Sequence, residues 1–294
     1  MYKSLNQHLR ERFGTKVYKI ALSSGCTCPN RDGTVGVGGC IFCADTGSGD
    51  FAQNADLPIK EQIKSAKEKV ASKNKGGKYI AYFQSFTNTY GSVEFLEPKF
   101  REAIEDEEVV ALSIATRPDC LPEEILNMLA RLNAIKPVWV ELGLQTIHQK
   151  SAEYIRRGYP LAVYDQAVRD LHAIGVEVIT HVIIGLPGET KEDMLATVQY
   201  VAESKADGIK LQLLHVIEGT DLAKDYKAGT FRTLTMEEYL QIIKECVDLI
   251  PDTMVIHRLT GDGNKRTLIA PLWSADKKRV LNELNKVLCA ERKR

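Results

Sequence analysis

The chain lacks surplus charge, long apolar runs and a leader-like start, and each absence argues against a class of protein. Lys plus Arg and Asp plus Glu number 39 each, so the formal net charge is zero. This balance argues against a strongly basic nucleic-acid coat while leaving room for local patches. No apolar run approaches the ~18 residues of a membrane-spanning helix, and no membrane partner is expected. Met1-Tyr2-Lys3-Ser4-Leu5-Asn6 has no apolar segment of the kind an export signal needs. No low-complexity linker interrupts the 294 residues, and Asn74-Lys75-Gly76-Gly77 reads as a turn. Gly36-Val37-Gly38-Gly39 does not match a Walker sequence. What the chain does have is seven cysteines. Without an export signal they read as thiols held reduced in the cytoplasm, for metal binding or for chemistry.

Short apolar runs alternate with amphipathic segments. Strands are predicted at 17–22, 79–84, 109–115, 138–144, 176–184 and 209–214, with a last one at 254–259. Helices are predicted at 57–72, 122–132, 160–174 and 191–203. This order implies right-handed βαβ units and a parallel sheet covered by helices, an α/β partial (β/α)6 barrel. Functional residues then belong at the carboxyl ends of the strands. Thr235, with Glu238 three residues on, opens a helix to Ile250 by a capping-box pattern, and a last helix runs from Asp276 to Leu288. We expect a core over residues 1–230 and a helical C-terminal extension over 231–294.

Cys28, Cys40 and Cys43 flank a Gly-rich loop just after the first apolar strand. Three thiolates on one loop suit three irons of a [4Fe–4S] cluster and leave the fourth iron open to a small ligand. Cys26 lies two residues before Cys28, so four cysteines are available, and a Cys-x-Cys plus Cys-x-x-Cys set also suits structural zinc. Phe42 either packs on a bound adenine or fills core. Cys246 and Cys289 sit on apolar helical faces and read as packing residues. Cys120 follows Arg117-Pro118-Asp119 at a strand's carboxyl end, where it is either a hydrogen donor to a product radical or inert.

These residues resemble the radical S-adenosylmethionine superfamily. Within it they resemble the small YtqA/YhcC-type proteins, themselves similar to the Elongator-type catalytic domain. The likeness runs from Tyr18 to about Trp273 and rests on Cys28-Pro-Asn-Arg-Asp-Gly-Thr34 and on eleven residues separating Cys28 from Cys40, where the superfamily usually has three. It implies Cys28, rather than Cys26, as the third cluster ligand beside Cys40 and Cys43, with S-adenosylmethionine on the open iron. Gln84 and Thr87 stand where the superfamily often has Gly-Gly-Glu, which implies polar contacts to the methionine moiety. Arg117 ends the third strand and suits a carboxylate by bidentate pairing. Glu141-Leu-Gly-Leu-Gln145 resembles an Elongator-type segment, and ribose hydroxyls would satisfy Glu141 or Gln145 inside an apolar strand. Gly185, in Gly185-Leu-Pro-Gly-Glu189, implies backbone against adenine. Lys210 alternates with leucines, and its burial calls for a negative partner such as a substrate or methionine carboxylate. His181 faces either the barrel interior or a helix.

The implied chemistry is reductive cleavage of S-adenosylmethionine to methionine and a 5′-deoxyadenosyl radical, which takes hydrogen from an unreactive C–H bond. The resemblance further implies a tRNA partner, modified on the carbon-5 side chain of wobble uridine from the carboxymethylaminomethyl toward the aminomethyl form. It also implies a reducing donor such as flavodoxin or ferredoxin. Basic runs at Lys60, Lys64, Lys67, Lys73 and Lys75, and at Lys277, Lys278, Arg279 and Arg292 to Arg294, suit either RNA contact or solvation. His257 to Gly263 is expected to touch substrate as a mouth loop. A radical enzyme for a metabolite or protein side chain, and a non-enzymatic iron–sulfur or zinc module, remain as other readings.

Overall fold

Apolar runs too short for helices pair side by side in chain order in the computed structural model, which describes residues 2–45, 47, 52–72, 74, 76–261, 263 and 265–289. The strands are β1 (Lys3–Ser4), β2 (Val17–Leu22), β3 (Lys78–Phe83), β4 (Val109–Thr116), β5 (Val138–Gln145), β6 (Glu177–Ile184), β7 (Gly208–Leu213), β8 (Val216–Ile217), β9 (Val255–Arg258) and β10 (Leu268–Ala270). The helices are α1 (Leu5–Phe13), α2 (Ile59–Val70), α3 (Val93–Glu105), α4 (Glu123–Asn133), α5 (Gln149–Tyr154), α6 (Leu161–Ala173), α7 (Lys191–Glu203), α8 (Asp221–Lys227), α9 (Met236–Leu249) and α10 (Lys277–Cys289).

Eight strands form one open, curled sheet in the order β1-β9-β7-β6-β5-β4-β3-β2. Every pairing in it is parallel. The expected six-unit partial barrel is therefore present, and β9 and then β1 extend it at one edge. Lys3–Ser4 is too short to carry a strand signature, and only its pairing with Val255 and Ile256 makes it one. Helix α3 is also hidden from the sequence, because Pro98 lies inside it. Both bonds of the predicted Thr235–Glu238 capping box are present.

Side chains alternate across each strand, so residues two apart share a face. The outward face joins the helices in the main core, where Phe83, Phe100, Leu112, Met128 and Val140 are fully buried. Each such side chain contributes about 1.5–3 kcal/mol relative to exposure. The inward face is layered. At the amino ends Val17, Ile80, Ala111, Trp139 and Ile179 close on Leu9 of α1 as a small apolar floor plate. Two residues further along each strand stand Lys19, Tyr82, Ser113, Glu141 and His181, a polar layer inside the barrel. The loops that carry the cysteines lie at the carboxyl ends above it.

Candidate active site

The eleven residues after Cys28 fold back on themselves. Arg31 and Asp32 donate their backbone N–H to the Cys28 carbonyl, Val35 and Gly36 donate to the Pro29 carbonyl, and Asp32 and Val37 form a β-bridge. Gly39 then donates to the Asn30 carbonyl at 2.8 Å, which returns the chain to Cys40 beside Asn30. Gly39 has φ +87°, and a Cβ there would stand 3.0 Å from the Arg31 side chain. That guanidinium holds the far end of the loop by donating to the Cys43 and Ala44 carbonyls at 3.1 and 2.5 Å. Ile41 anchors the Cys40–Cys43 turn. It is buried with Ile155, Ile183, Leu214 and Leu222, and its carbonyl accepts from the Leu222 N–H at 2.9 Å.

Cys28, Cys40 and Cys43 all line one cavity of ≈ 290 Å³ at the carboxyl ends of the strands. Cys26 does not: it packs against the main core, and a Cβ on Gly91 would lie 3.7 Å from its Sγ. Burial, reinforced by Cys43, pushes the Cys40 thiol up to about 11, so a cation at the thiols is needed to hold it as thiolate. Among the described residues no three His, Cys, Asp or Glu side chains converge on a single metal ion.

Buried atoms on the cavity wall with no hydrogen-bond partner among the described residues include Arg157 Nη2 and Gln145 Oε1. Arg157 is 2 % exposed. Its Nε and Nη1 donate to the carbonyls of Tyr159, Leu144 and Thr146 at 3.1, 3.3 and 2.5 Å. Those bonds aim the guanidinium and leave Nη2 over. Gln145, between Leu144 and Thr146, has φ +70°, a conformation that costs about 1–3 kcal/mol in a residue with a side chain. An unpaired donor and an unpaired acceptor on one cavity wall suit a ligand that offers both, as an amino acid or a ribose does. The donor set therefore fits both groups of the expected chemistry: soft thiols for iron, and a buried polar pair for S-adenosylmethionine.

The other expected residues are placed as follows. Phe42, Gln84 and Thr87 are on the cavity wall. Arg117 is there too, but its carboxylate partner is internal: Asp119 binds it bidentately at 2.9 and 2.6 Å. The guanidinium groups of Arg117 and Arg157 both stack on Tyr159, 5.0 and 4.9 Å from the ring centre. Gly185 is apart from the wall, since a Cβ there would meet Leu234 at 3.1 Å. Lys210 finds its negative partner inside the protein. It donates to Glu141 Oε2, as does His181 at 2.7 Å, while Lys19 and Ser113 donate to Oε1 at 2.5 and 2.6 Å. Glu141 is thus fully satisfied without a ribose. Burial by itself would raise the Glu141 carboxyl, but Lys19 and Lys210 hold it well below the usual range. His181, sunk in the same layer, is brought down to about 4 by burial and by Lys210.

Of the mouth loop, Arg258, Gly261 and Gly263 line the cavity, whereas His257 packs edge-on against Trp139 at 5.8 Å; Asp262 lies outside the described residues. Cys120 is buried, 3.8 Å from Asp119, and is not on the wall. Cys246 is a core residue as expected, but Cys289 is exposed near the chain end. Of the basic runs, Lys60, Lys64, Lys277, Lys278 and Arg279 are exposed, and Lys67 is paired with Asp106 and Glu108. Lys73, Lys75 and Arg292 to Arg294 lie outside the described residues. Sequence reasoning missed Asn30, Arg31, Ile41 and Arg157. The signal for Arg157 is weak, since Arg156-Arg157 follows a short helix and reads as surface charge.

Comparison with known proteins agrees with this geometry. The chain matches the Radical SAM superfamily over residues 25–201 and the Radical SAM C-terminal domain over 206–289. It is 46 % identical to YtqA of Bacillus subtilis, over 98 % of this chain and 89 % of that protein. It is 32 % identical to the tRNA uridine(34) acetyltransferase of Methanocaldococcus jannaschii, but over 52 % of this chain and 28 % of that protein. The solved structure of Methanocaldococcus infernus Elp3 lacking its N-terminus superposes with a TM-score of 0.68 at 20 % identity, covering 92 % of this chain and 63 % of that one, a likeness of fold. With its parallel half-barrel and three cysteines at one cavity, the chain belongs to the radical S-adenosylmethionine superfamily, whose enzymes use a [4Fe–4S] cluster and S-adenosylmethionine.

Proposed function

We propose that Cys28, Cys40 and Cys43 hold the cluster, that Arg157 and Gln145 receive S-adenosylmethionine, and that the enzyme modifies the carbon-5 side chain of wobble uridine in tRNA. The conversion we favour is from the carboxymethylaminomethyl to the aminomethyl form. One observation carries the assignment of the site: three thiols and the unpaired Arg157–Gln145 pair share one cavity while Cys26 turns into the core. When bound, the two groups supply a 5′-deoxyadenosyl radical that abstracts hydrogen from substrate. The chain's own part is positional. Asn30 and Arg31 brace the cysteine loop, Phe42 and Tyr159 wall the cavity, and Arg157, its fork fixed on three carbonyls, offers its remaining Nη2 to the bound cofactor.

The tRNA reading is supported by the likeness, over half the chain, to an enzyme named for uridine 34 of tRNA. Exposed Lys60, Lys64, Lys278 and Arg279 suit phosphate contacts. A small redox protein such as flavodoxin or ferredoxin would supply the electron. Among the described residues no helix is long and apolar enough to cross a membrane.

The test is nucleoside mass spectrometry of bulk tRNA from a strain lacking this protein, with wild type and Cys40→Ala returned separately. Loss of one uridine derivative, build-up of its precursor and rescue by wild type alone are expected. Identical nucleoside profiles would move the substrate search to metabolites and protein side chains.

A further inference from the structure

The polar layer inside the barrel is unbalanced. Two ammonium groups, Lys19 and Lys210, share one carboxylate, Glu141. That carboxylate accepts four hydrogen bonds, two at each oxygen, and has no capacity left for a ligand. Lys210 differs. It is 4 % exposed and lies on the cavity wall. Of its three N–H donors, one goes to Glu141 and a second faces the Tyr82 hydroxyl at 3.4 Å. The Lys19 ammonium is held behind it over Tyr82 and Trp139 and does not reach the wall.

The surplus of the Lys19–Lys210–Glu141 group therefore faces the cavity through Lys210, with Arg258 on the same wall. Burial pulls Lys210 down to about 7 against the attraction of Glu141, and Lys19 and Arg258 add to the pull. An anion placed here would restore the charged form. A buried cation left without compensation is costly, so a neutral ligand would leave the layer in deficit. The layer is also separate from the thiol end. Glu141 stands four residues before Gln145 on β5, roughly 10–13 Å toward the amino end at ~3.3 Å per residue.

We infer that Lys210, backed by Lys19 and Glu141, is the seat of a carboxylate carried by the substrate, set deeper in the barrel than S-adenosylmethionine. The inference rests on reading this cavity as the reaction site. A carboxylate fits because Lys19 and Lys210 exceed Glu141 by one charge and Arg258, on the same wall, adds to the positive field. Seated there, the substrate's carboxylate fixes which of its C–H bonds faces the mouth, so Lys210 acts as a specificity-determining residue.

The experiment uses reconstituted enzyme saturated with S-adenosylmethionine. Binding of an anticodon stem-loop carrying 5-carboxymethylaminomethyluridine is compared with the same stem-loop carrying the carboxamide. The acid is expected to bind roughly 10- to 100-fold tighter, the worth of one charge-assisted hydrogen bond. Lys210→Met removes the surplus yet leaves Glu141 its Lys19 partner, so the fold is expected to persist and the preference to vanish. Lys210→Arg, which keeps a cation beside Glu141, should retain the preference. A merely structural role would not separate acid from amide, nor would it be rescued by charge in this way. Equal binding of acid and amide to wild type, or a preference that survives Lys210→Met or appears only without S-adenosylmethionine, overturns the inference.

If neither stem-loop binds, the tRNA reading fails. The carboxylate seat is then read with N-methylglycine against N-methylglycinamide, through the NMR shift of the Lys210 ammonium in lysine-labelled enzyme. A shift with the acid alone supports the seat, and equal or absent shifts overturn it.

Discussion

The Asn30 side-chain amide donates to the Cys40 thiol at 3.4 Å and to the Arg156 carbonyl at 2.6 Å, so one nitrogen ties the cysteine loop to the turn after α5. Eleven residues separate Cys28 from Cys40 in sequence, and this contact joins the Gly39 N–H bond to the Asn30 carbonyl in holding Cys40 beside Asn30. The seat for Asn30 exists because the next turn is bare. At Gly158, φ is +81° and a Cβ would stand 2.7 Å from Val35 and 2.9 Å from Asn30 Oδ1.

Gly158→Ala should therefore unseat the loop as well as strain the turn, at a cost of roughly 2–4 kcal/mol. We expect a lower urea midpoint together with reduced iron per chain after reconstitution. A variant of wild-type stability and full iron content would show that the loop does not depend on this contact.

Cys26 and Cys28 are two residues apart but face different surroundings, core and cavity. Cys26→Ser should keep the full iron and sulfide content and the brown colour, whereas Cys28→Ser should lose them. The reverse pattern would exchange the two assignments.

Arg157 is positioned by three carbonyls, and its remaining nitrogen has nothing to bind among the described residues. Arg157→Met should weaken S-adenosylmethionine binding roughly 10- to 100-fold, measured by equilibrium dialysis. Arg157→Lys should fail to restore it, because an ammonium cannot keep the fork. Unchanged affinity in Arg157→Met would remove this residue from the cofactor site.

Acid stability should follow the buried layer. The folded-state value of His181 is about 4 against an ordinary 6.5, lowered first by burial and then by Lys210. A lowered value means that the unfolded chain binds the proton more readily. The stabilisation is thus complete above pH 6.5 and is lost as the pH falls toward 4, by on the order of 3 kcal/mol. Glu141, also lowered, continues the loss further down the acid range. Urea melts across this window should show a steeper fall for wild type than for His181→Gln, and parallel curves would exclude His181 as the source.

Much of the fold is legible in the sequence because its signals are local. Val17–Leu22 and Lys191–Glu203 have the predicted bounds, and most of the other predicted elements shift by only one or two residues at an end. An apolar run, a 3.6-residue period and the Thr235–Glu238 box act within a few neighbouring residues, whatever the chain does elsewhere. The cysteines and the polar residues inside apolar strands were visible for the same reason: each violates a local pattern.

Partnership was not visible. The sequence says that Lys210 and Glu141 are buried charges needing partners, but only strand order and register make them partners of one another, 69 residues apart, and bring in Lys19 from 122 residues away. Strand order likewise makes Lys3–Ser4 the edge of the sheet, and loop closure turns Cys28 to the cavity and Cys26 to the core. Arg157 reads as surface charge until the carbonyls of Leu144 and Thr146 at the end of β5 and of Tyr159 beyond α5 surround it. By itself the sequence determined the elements and the kind of chemistry, because residue type and spacing suffice for those. The tertiary structure alone decided which charges are spent on one another and which face the cavity, because pairing energy depends on distances between residues far apart in the chain.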